Sequence, residues 1–381
     1  MPDTYHDPQR ILYSYSLTGR WTKGRHDDRG SPKALLSVVD LLDRDSYEPW
    51  FLAAGEGPLI ETLRARDDRI MRGDITSITR KRPLWSLQRL RRQRRLLRDG
   101  RVDLVHYNAF GWNTDVVLAA ALEGIPVILH VHLPDEVHWQ NLNRLAAKRI
   151  VTVSHAHAKN IEGLHRIRGK HSVLYNSVDI ARFARGRDIR TTLGLQKSDF
   201  VVGIVAMICP GKGIEEFLDV AERLIAGHSH VHFLLIGPTQ PEAEDFAAAM
   251  LARANTPQCD GRIHFLGSRQ DIPDLLACMD VFLFPTWAET FGLVVVEAMA
   301  AGLPVIASAV GGITEIIDRP DIGILVASKD VDGFTDAVER LMADRATAKG
   351  IGRRAASSLM GRFDVETIKR ELNALYRSIL Q

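Results

Sequence analysis

The chain has 381 residues, 45% of them hydrophobic, with three cysteines and a formal net charge of +2. Such a length and composition suit a globular protein with two separate cores and exclude a disordered chain; the near-neutral charge excludes a global field that would draw nucleic acid. Cys209, Cys259 and Cys278 are odd in number and lack C-x-x-C spacing, so neither a disulfide framework nor a zinc site is expected.

The start, Met1-Pro2-Asp3-Thr4-Tyr5-His6-Asp7, is polar and has no apolar stretch of the signal-peptide type, so a cytoplasmic protein is expected. Short apolar runs then recur, each followed by a helical pattern: Ile11 to Tyr15, Trp50 to Ala54, Asp103 to Tyr107, Pro126 to His132 and Ile150 to Ser154. A second series follows: Phe200 to Met207, His232 to Gly237, Ile263 to Gly267, Val281 to Pro285, Pro304 to Ser308 and Gly323 to Ala327. Apolar runs that alternate with helices, without strict period-two polarity, predict parallel sheets covered on both faces. Two series predict an α/β architecture of two Rossmann-like domains, with the ligand site in the cleft between them.

The expected divisions are 1–168 for the first domain, 169–197 for a linker within the polar, basic stretch Arg166 to Lys197, 198–360 for the second domain and 361–381 for a terminal helix. Val365, Ile368, Leu372, Leu375 and Ile379 give that helix an apolar stripe, expected to pack back on the first domain.

Within the first domain, Arg80 to Arg101 carries ten basic residues against one acid, Asp99, with Trp85, Leu87, Leu90, Leu96 and Leu97 interleaved. This mixture fits a basic amphipathic helix seated on an anionic membrane surface, and equally a solvated helix face whose leucines pack on the core. Gly55-Glu56-Gly57-Pro58-Leu59-Ile60 begins like a dinucleotide fingerprint, but Ile60 stands where the third glycine is needed. The Asp-x-Asp pairs, Asp43 with Asp45 and Asp330 with Asp332, lie at helix ends where capping accounts for them, so no metal is expected.

Thr290 to Ile313 is weakly charged, but Glu297 and the Gly302-Leu303-Pro304 break make it a helix followed by a strand rather than a membrane span. The preceding run, Val281-Phe282-Leu283-Phe284-Pro285, reads as a buried strand, which puts Glu289 in a strand-to-helix loop and Glu297 about two turns into the helix. Such loops lie at the carboxyl ends of the strands, where ligands bind in open α/β sheets. Phe291-Gly292-Leu293 falls where helix-start N–H groups suit an anion, and Gly292 admits close approach to the backbone. A carboxylate inside so apolar a helix requires a partner: sugar or ribose hydroxyls would serve, and so would a core arginine. Lys212, in Pro210-Gly211-Lys212-Gly213, follows a strand and precedes a helix, a place from which an ammonium can neutralise a diphosphate.

Together these residues resemble the retaining GT-B glycosyltransferases of family 4 (GT4), the glycosyl transferases of group 1. The Glu289 to Glu297 run matches the family's E-x7-E signature with its Phe-Gly-Leu core, and Val202 to Gly213 matches the strand and loop that carry its phosphate-binding cations. Gly302-Leu303-Pro304-Val305-Ile306-Ala307 and Val310-Gly311-Gly312-Ile313-Thr314-Glu315 match the segment that follows. The resemblance implies transfer of a sugar from a nucleotide diphosphate sugar to a saccharide or lipid-linked acceptor, in cell-surface polysaccharide or glycolipid assembly, without cofactor or metal.

By the same resemblance Glu297 holds the ribose, Glu289 the donor sugar's hydroxyls, and the N–H groups around Phe291, Gly292 and Leu293 the sugar and diphosphate, while Lys212 stabilises the leaving diphosphate. Met207 replaces the family's arginine, and Lys23 or Arg25 is expected to supply the second cation. His132 stands where the family often has a histidine facing the donor sugar, with His130 as the competing choice; His106 matches a pattern that is structural in character. Gly30 occupies the glycine-rich first loop and offers its backbone to a phosphate or acceptor. Two rival readings remain, a nucleotide-sugar epimerase of the same fold and a subunit that binds a nucleotide sugar without turnover.

Overall fold

A computed structural model of the chain describes residues 7–14, 30–53, 56, 58–73, 75–76, 78–79, 81–108, 114–132, 146–160, 169–259 and 261–381. The chain forms two compact units: Met1–Asn176 with Ile368–Gln381, and Ser177–Thr367.

In the first unit seven strands, β1 (Gln9–Ser14), β2 (Tyr47–Ala53), β3 (Arg69–Arg72), β4 (Leu104–Tyr107), β5 (Val127–Val131), β6 (Arg149–Thr152) and β7 (His171–Val173), make one sheet. All neighbours are parallel, in the order β3-β2-β1-β4-β5-β6-β7. β4 and β5 are buried along their whole length, as expected of central strands with helices on both faces. Those helices include α1 (Gly30–Asp40), α2 (Pro58–Ala65), α3 (Pro83–Asp99) and α4 (Asp115–Leu122). Pro83 opens α3, where its missing N–H costs nothing.

The second unit repeats the plan with six parallel strands, β8 (Phe200–Val205), β9 (Val231–Ile236), β10 (Ile263–Gly267), β11 (Val281–Phe284), β12 (Val305–Ser308) and β13 (Ile324–Val326), in the order β10-β9-β8-β11-β12-β13. In each sheet the order reverses beside the first strand, between β1 and β4 and between β8 and β11. The carboxyl edge at such a reversal of strand order is the place where open α/β sheets bind ligands.

Two strands lie outside the expected series. β3 has exposed ends and β7 only three half-buried residues, so neither carries the apolar run of an inner strand. The stretch expected as a linker, 169–197, is structured instead: β7 pairs with β6, and Asp179 caps a short helix, Ile180–Ala184, by accepting from the Arg182 N–H at 2.9 Å. Arg190 then ties the stretch into the second unit, donating to the Cys278 carbonyl at 2.8 Å and to Asp280 at 3.0 Å. The chain changes unit at Asn176 and Ser177, and most of the terminal helix Val365–Leu380 belongs to the first unit.

α3 resolves its mixed composition by facing two ways. Leu97 is buried and Leu90 and Leu96 pack on the core, whereas Leu84, Trp85 and Leu87 are 77%, 36% and 44% exposed. Arg89 pairs with the buried Asp115 at 3.2 Å, and Arg94 and Arg98 with Glu123, while Lys81, Arg82, Arg91 and Arg95 are exposed.

Candidate active site

At the carboxyl edge of the second sheet, the loop after β8 carries Lys212 and the loop after β11 carries Glu289. Lys212 Nζ lies 2.9 Å from Glu289 Oε2, both side chains partly buried. The two loops are bonded through their backbones, since Trp287 donates its N–H to the Gly211 carbonyl at 2.9 Å and Thr286 donates its hydroxyl to the same oxygen at 3.1 Å.

Glycine is required here for two reasons. Gly213 has φ +75° and caps the helix Ile214–Gly227, and a Cβ on it would stand 2.2 Å from the Pro285 carbonyl oxygen. Gly311 has φ +50°, and its Cβ would meet the Glu289 carbonyl oxygen at 1.7 Å. The Gly311-Gly312 pair thus lets the turn after β12 close on the Glu289 loop, where the Gly312 N–H donates to the Glu289 carbonyl at 3.3 Å.

Gly292, at φ +110°, caps the helix Leu293–Ala300. The first N–H groups of that helix have no preceding turn to bond, which makes this end a donor set for an anion. Leu293 is half-buried, and the Phe291 side chain packs edge-on against Phe363 at 5.6 Å, so Phe291 can serve a ligand through its backbone alone. Glu297 begins the second turn of the helix and is half-buried. It sits nearer the helix start than the two turns expected.

Several side chains around these loops were not picked out as site candidates from the sequence. Trp287 donates its indole N–H to the buried Glu216 at 2.7 Å, and the Lys329 ammonium lies 3.7 Å from its ring centroid. Cys209 sits in the same loop as Lys212; burial pushes its thiol up and the ammonium only partly opposes this, so the pair of Lys212 is Glu289 and not a thiolate. Met207 is half-buried at the start of this loop. Lys23 and Arg25 lie outside the described residues, and Gly30 opens α1 instead of ending a loop.

Toward the carboxyl ends of β4 and β5 a row of histidines, His106, His130 and His132, is buried. His132 directly follows β5, and its Nε2 meets Asn108 Oδ1 at 2.8 Å. The His130 and His132 rings are 4.2 Å apart, and His130 Nδ1 is 3.2 Å from His106 Nε2. Burial pushes His106 and His132 down to about 3, with neighbouring histidines adding to the effect, so these imidazoles are neutral. Asn108 has no apolar periodicity to mark it and was missed for that reason.

Among the described residues no group of three His, Cys, Asp or Glu could hold a metal ion, and Asp330 accepts from the Gly333 N–H at 2.9 Å as a helix cap. Among the same residues no helix is long and apolar enough to cross a membrane.

Residues 199–344 match the family described as Glycosyl transferases group 1, and residues 30–182 match Glycosyltransferase Family 4. The chain is 31% identical over 237 residues to the D-inositol 3-phosphate glycosyltransferase of Mycobacterium marinum, across 61% of this chain and 50% of that one. It is 26% identical over 337 residues to the UDP-Gal:alpha-D-GlcNAc-diphosphoundecaprenol alpha-1,3-galactosyltransferase of Escherichia coli, across 83% of this chain and 85% of that one. It spans about half the length of the first of these curated relatives. A Rickettsia africae glycosyltransferase superposes with a TM-score of 0.84 at 17% identity, covering 99% of this chain and all of that one. Anabaena HepE in complex with UDP superposes at 0.79 and 21%, covering 97% of this chain and all of that one. At those identities the likeness is one of fold.

Proposed function

The chain belongs to the group 1, family 4 glycosyltransferases of GT-B fold, and from that premise we propose that it moves a sugar from a nucleotide diphosphate sugar to an acceptor hydroxyl with retention of configuration. The observation that carries this reading is the Lys212–Glu289 pair at 2.9 Å on the carboxyl edge of the second sheet, beside the helix start at Gly292. A diphosphate needs the ammonium and the N–H groups; sugar and ribose hydroxyls need Glu289 and Glu297.

In the reaction the bond from the anomeric carbon to the diphosphate oxygen breaks on the face where the acceptor oxygen arrives. The leaving diphosphate takes up the electron pair, stabilised by Lys212, and receives the acceptor's proton. His132 in the first unit is neutral, and with its Nε2–H given to Asn108 Oδ1 its bare Nδ1 accepts a hydrogen bond from a ligand hydroxyl rather than supplying a positive charge. No metal is needed in this scheme, and a chelator is expected to leave turnover unchanged.

The test is a thermal-shift panel of UDP, GDP, ADP and their sugar conjugates on the wild type and on Glu297→Ala, followed by product assay. Stabilisation by one nucleotide, about 2.7 kcal/mol at a hundredfold excess over Kd, and its loss in the variant are expected. No shift with any nucleotide would sink the reading. Affinity without product would favour a non-catalytic subunit, and isomerisation of the donor without acceptor would favour an epimerase.

We further propose that α3 seats the protein on the cytoplasmic side of an anionic membrane, for a lipid-linked acceptor in polysaccharide or glycolipid assembly. Leu84, Trp85 and Leu87 stand exposed within two turns, flanked by the exposed Lys81, Arg82, Arg91 and Arg95. The lipid diphosphate in the name of the E. coli relative supports the acceptor class. Flotation with anionic but not neutral liposomes, reversed by salt, is expected, and binding indifferent to lipid charge and salt contradicts the idea.

A further inference from the structure

Lys212 lies between two glycines that give its backbone no anchor of their own. Gly211 and Gly213 have φ +87° and +75°, and neither has a side chain to pack. Trp287, two positions before Glu289 in the loop after β11, makes good this lack from both sides. Its backbone N–H donates to the Gly211 carbonyl at 2.9 Å, one residue before the lysine, and its indole N–H donates to Glu216 Oε1 at 2.7 Å, four residues after it. A Cβ on Gly211 would stand 3.9 Å from Trp287 Cε3, so the ring itself lies against the loop.

Folding stability alone gives a poor account of Glu216. The residue is 6% exposed in the first turn of the helix Ile214–Gly227, and its Oε2 has no partner among the described residues. Burying a carboxylate with one oxygen unsatisfied costs free energy, and a place in the first turn of a helix returns only part of it. Among the described residues Trp287 is the one hydrogen-bond partner of this carboxylate. Such local costs collect where a site needs a fixed geometry.

We propose that Trp287 is a positioning residue for Lys212, with Glu216 as its anchor. The two bonds close a ring that runs from Trp287 through the Gly211 carbonyl, Lys212, Gly213 and Glu216 back to the indole. That ring restrains the backbone that carries the ammonium and keeps it within 2.9 Å of Glu289. A displacement of about 1 Å at a positioned group can cost on the order of a hundredfold in rate. The catalytic consequence rests on the transferase reading, which makes Lys212 the cation beside the leaving diphosphate; the restraint rests on the hydrogen bonds alone.

A double-mutant cycle in kcat, with proton–nitrogen spectra of the labelled full chain, tests it. Trp287→Phe keeps the backbone N–H and loses the indole donor, and Glu216→Ala loses the acceptor; each should lower kcat about tenfold and raise the donor KM by less. Glu216→Gln keeps an oxygen for the indole and should hold kcat within about threefold of the wild type. On the Lys212→Ala background Glu216→Ala should change kcat by less than about twofold, because the group it positions is gone. Without ligand, Glu216→Ala should shift the Trp287 indole resonance and broaden that of the Lys212 ammonium, the two assigned with Trp287→Phe and Lys212→Ala. Its melting temperature should be unchanged or higher, since a buried carboxylate is removed.

A full effect of Glu216→Ala on the Lys212→Ala background, a Glu216→Gln as slow as Glu216→Ala, a Lys212 resonance that Glu216→Ala leaves in place, or a loss of turnover that tracks a loss of fold would each overturn the proposal. If Trp287→Phe fails to fold, the two Glu216 variants carry the cycle. A wild type without turnover would overturn the transferase reading, and the Lys212 resonance would still decide whether Trp287 and Glu216 hold the lysine.

Discussion

Lys212 and Glu289, 77 positions apart in the chain, hold each other at 2.9 Å because the loops after β8 and β11 leave the second sheet side by side. Their side chains are 34% and 17% exposed, so water screens the pair and its share in stability is at most about 1 kcal/mol. On the proposed reading its chemical worth is larger, since a cation beside a leaving diphosphate acts where charge develops.

Lys212→Ala is therefore expected to leave the melting temperature nearly unchanged while lowering kcat by about a hundredfold to a thousandfold, the range found when one such group is removed. Steady-state kinetics beside a melting curve separates the two effects. A loss of turnover that tracks a loss of fold would remove Lys212 from the reaction.

Gly311→Ala tests the closure of the Glu289 loop. Its Cβ would have to displace a carbonyl oxygen 1.7 Å away at φ +50°, whereas Gly124→Ala has φ +73° but nothing within 4 Å. Gly124→Ala should cost about 1–2 kcal/mol of backbone strain and leave nucleotide binding intact. Gly311→Ala should cost more and weaken nucleotide binding as well, which urea unfolding and titration calorimetry would report.

Acid should undermine the first unit. His106 and His132 titrate at about 3 when folded, and at about 6.5 when unfolded, so between those values the unfolded chain binds more protons. Their contribution is intact above about pH 6.5 and is lost as pH falls toward 3, at up to about 1.4 kcal/mol per histidine for each pH unit. Unfolding curves at pH 7.5, 6 and 5 should show a steady fall, softened in His132→Gln.

Asp115→Ala is expected to cost about 3–5 kcal/mol, as when one member of a buried ion pair is removed. The carboxylate is fully buried and accepts from the Thr76 N–H at 3.1 Å, the Thr76 hydroxyl at 2.9 Å, Gln93 at 3.2 Å and Arg89 at 3.2 Å. Urea unfolding measures the cost, and a value below about 1 kcal/mol would show that the α3 and α4 surfaces repack without it.

The inner strands were legible because burial on both faces writes a run of apolar residues into the sequence, as in Val281-Phe282-Leu283-Phe284. The edges were not: Arg69-Ile70-Met71-Arg72 and His171-Ser172-Val173 have little to bury, and their pairing is backbone work that side chains do not announce. The placement of Glu289 in a strand-to-helix loop and of Glu297 in the helix was legible by spacing within one segment. The contact of Lys212 with Glu289, and of Tyr376 with His106 at 2.6 Å, comes from strand order, which no local pattern carries. The terminal helix shows the limit in miniature: Leu375 of its apolar stripe is only half-buried, whereas its neighbour Tyr376 is wholly buried.

Tyr13 finds its hydroxyl partner, Tyr376, 363 positions later, after the whole of Ser177–Thr367 has been made. On a ribosome every strand of the first sheet emerges before the helix that covers Tyr13, Tyr47 and His106, whereas the second unit is one continuous stretch that can close as it is completed. The unit synthesised first is thus the one finished last. A fragment ending at Asn176 would carry all seven strands and still present an open polar seam, which makes it a poor choice for separate expression and a natural client for chaperones.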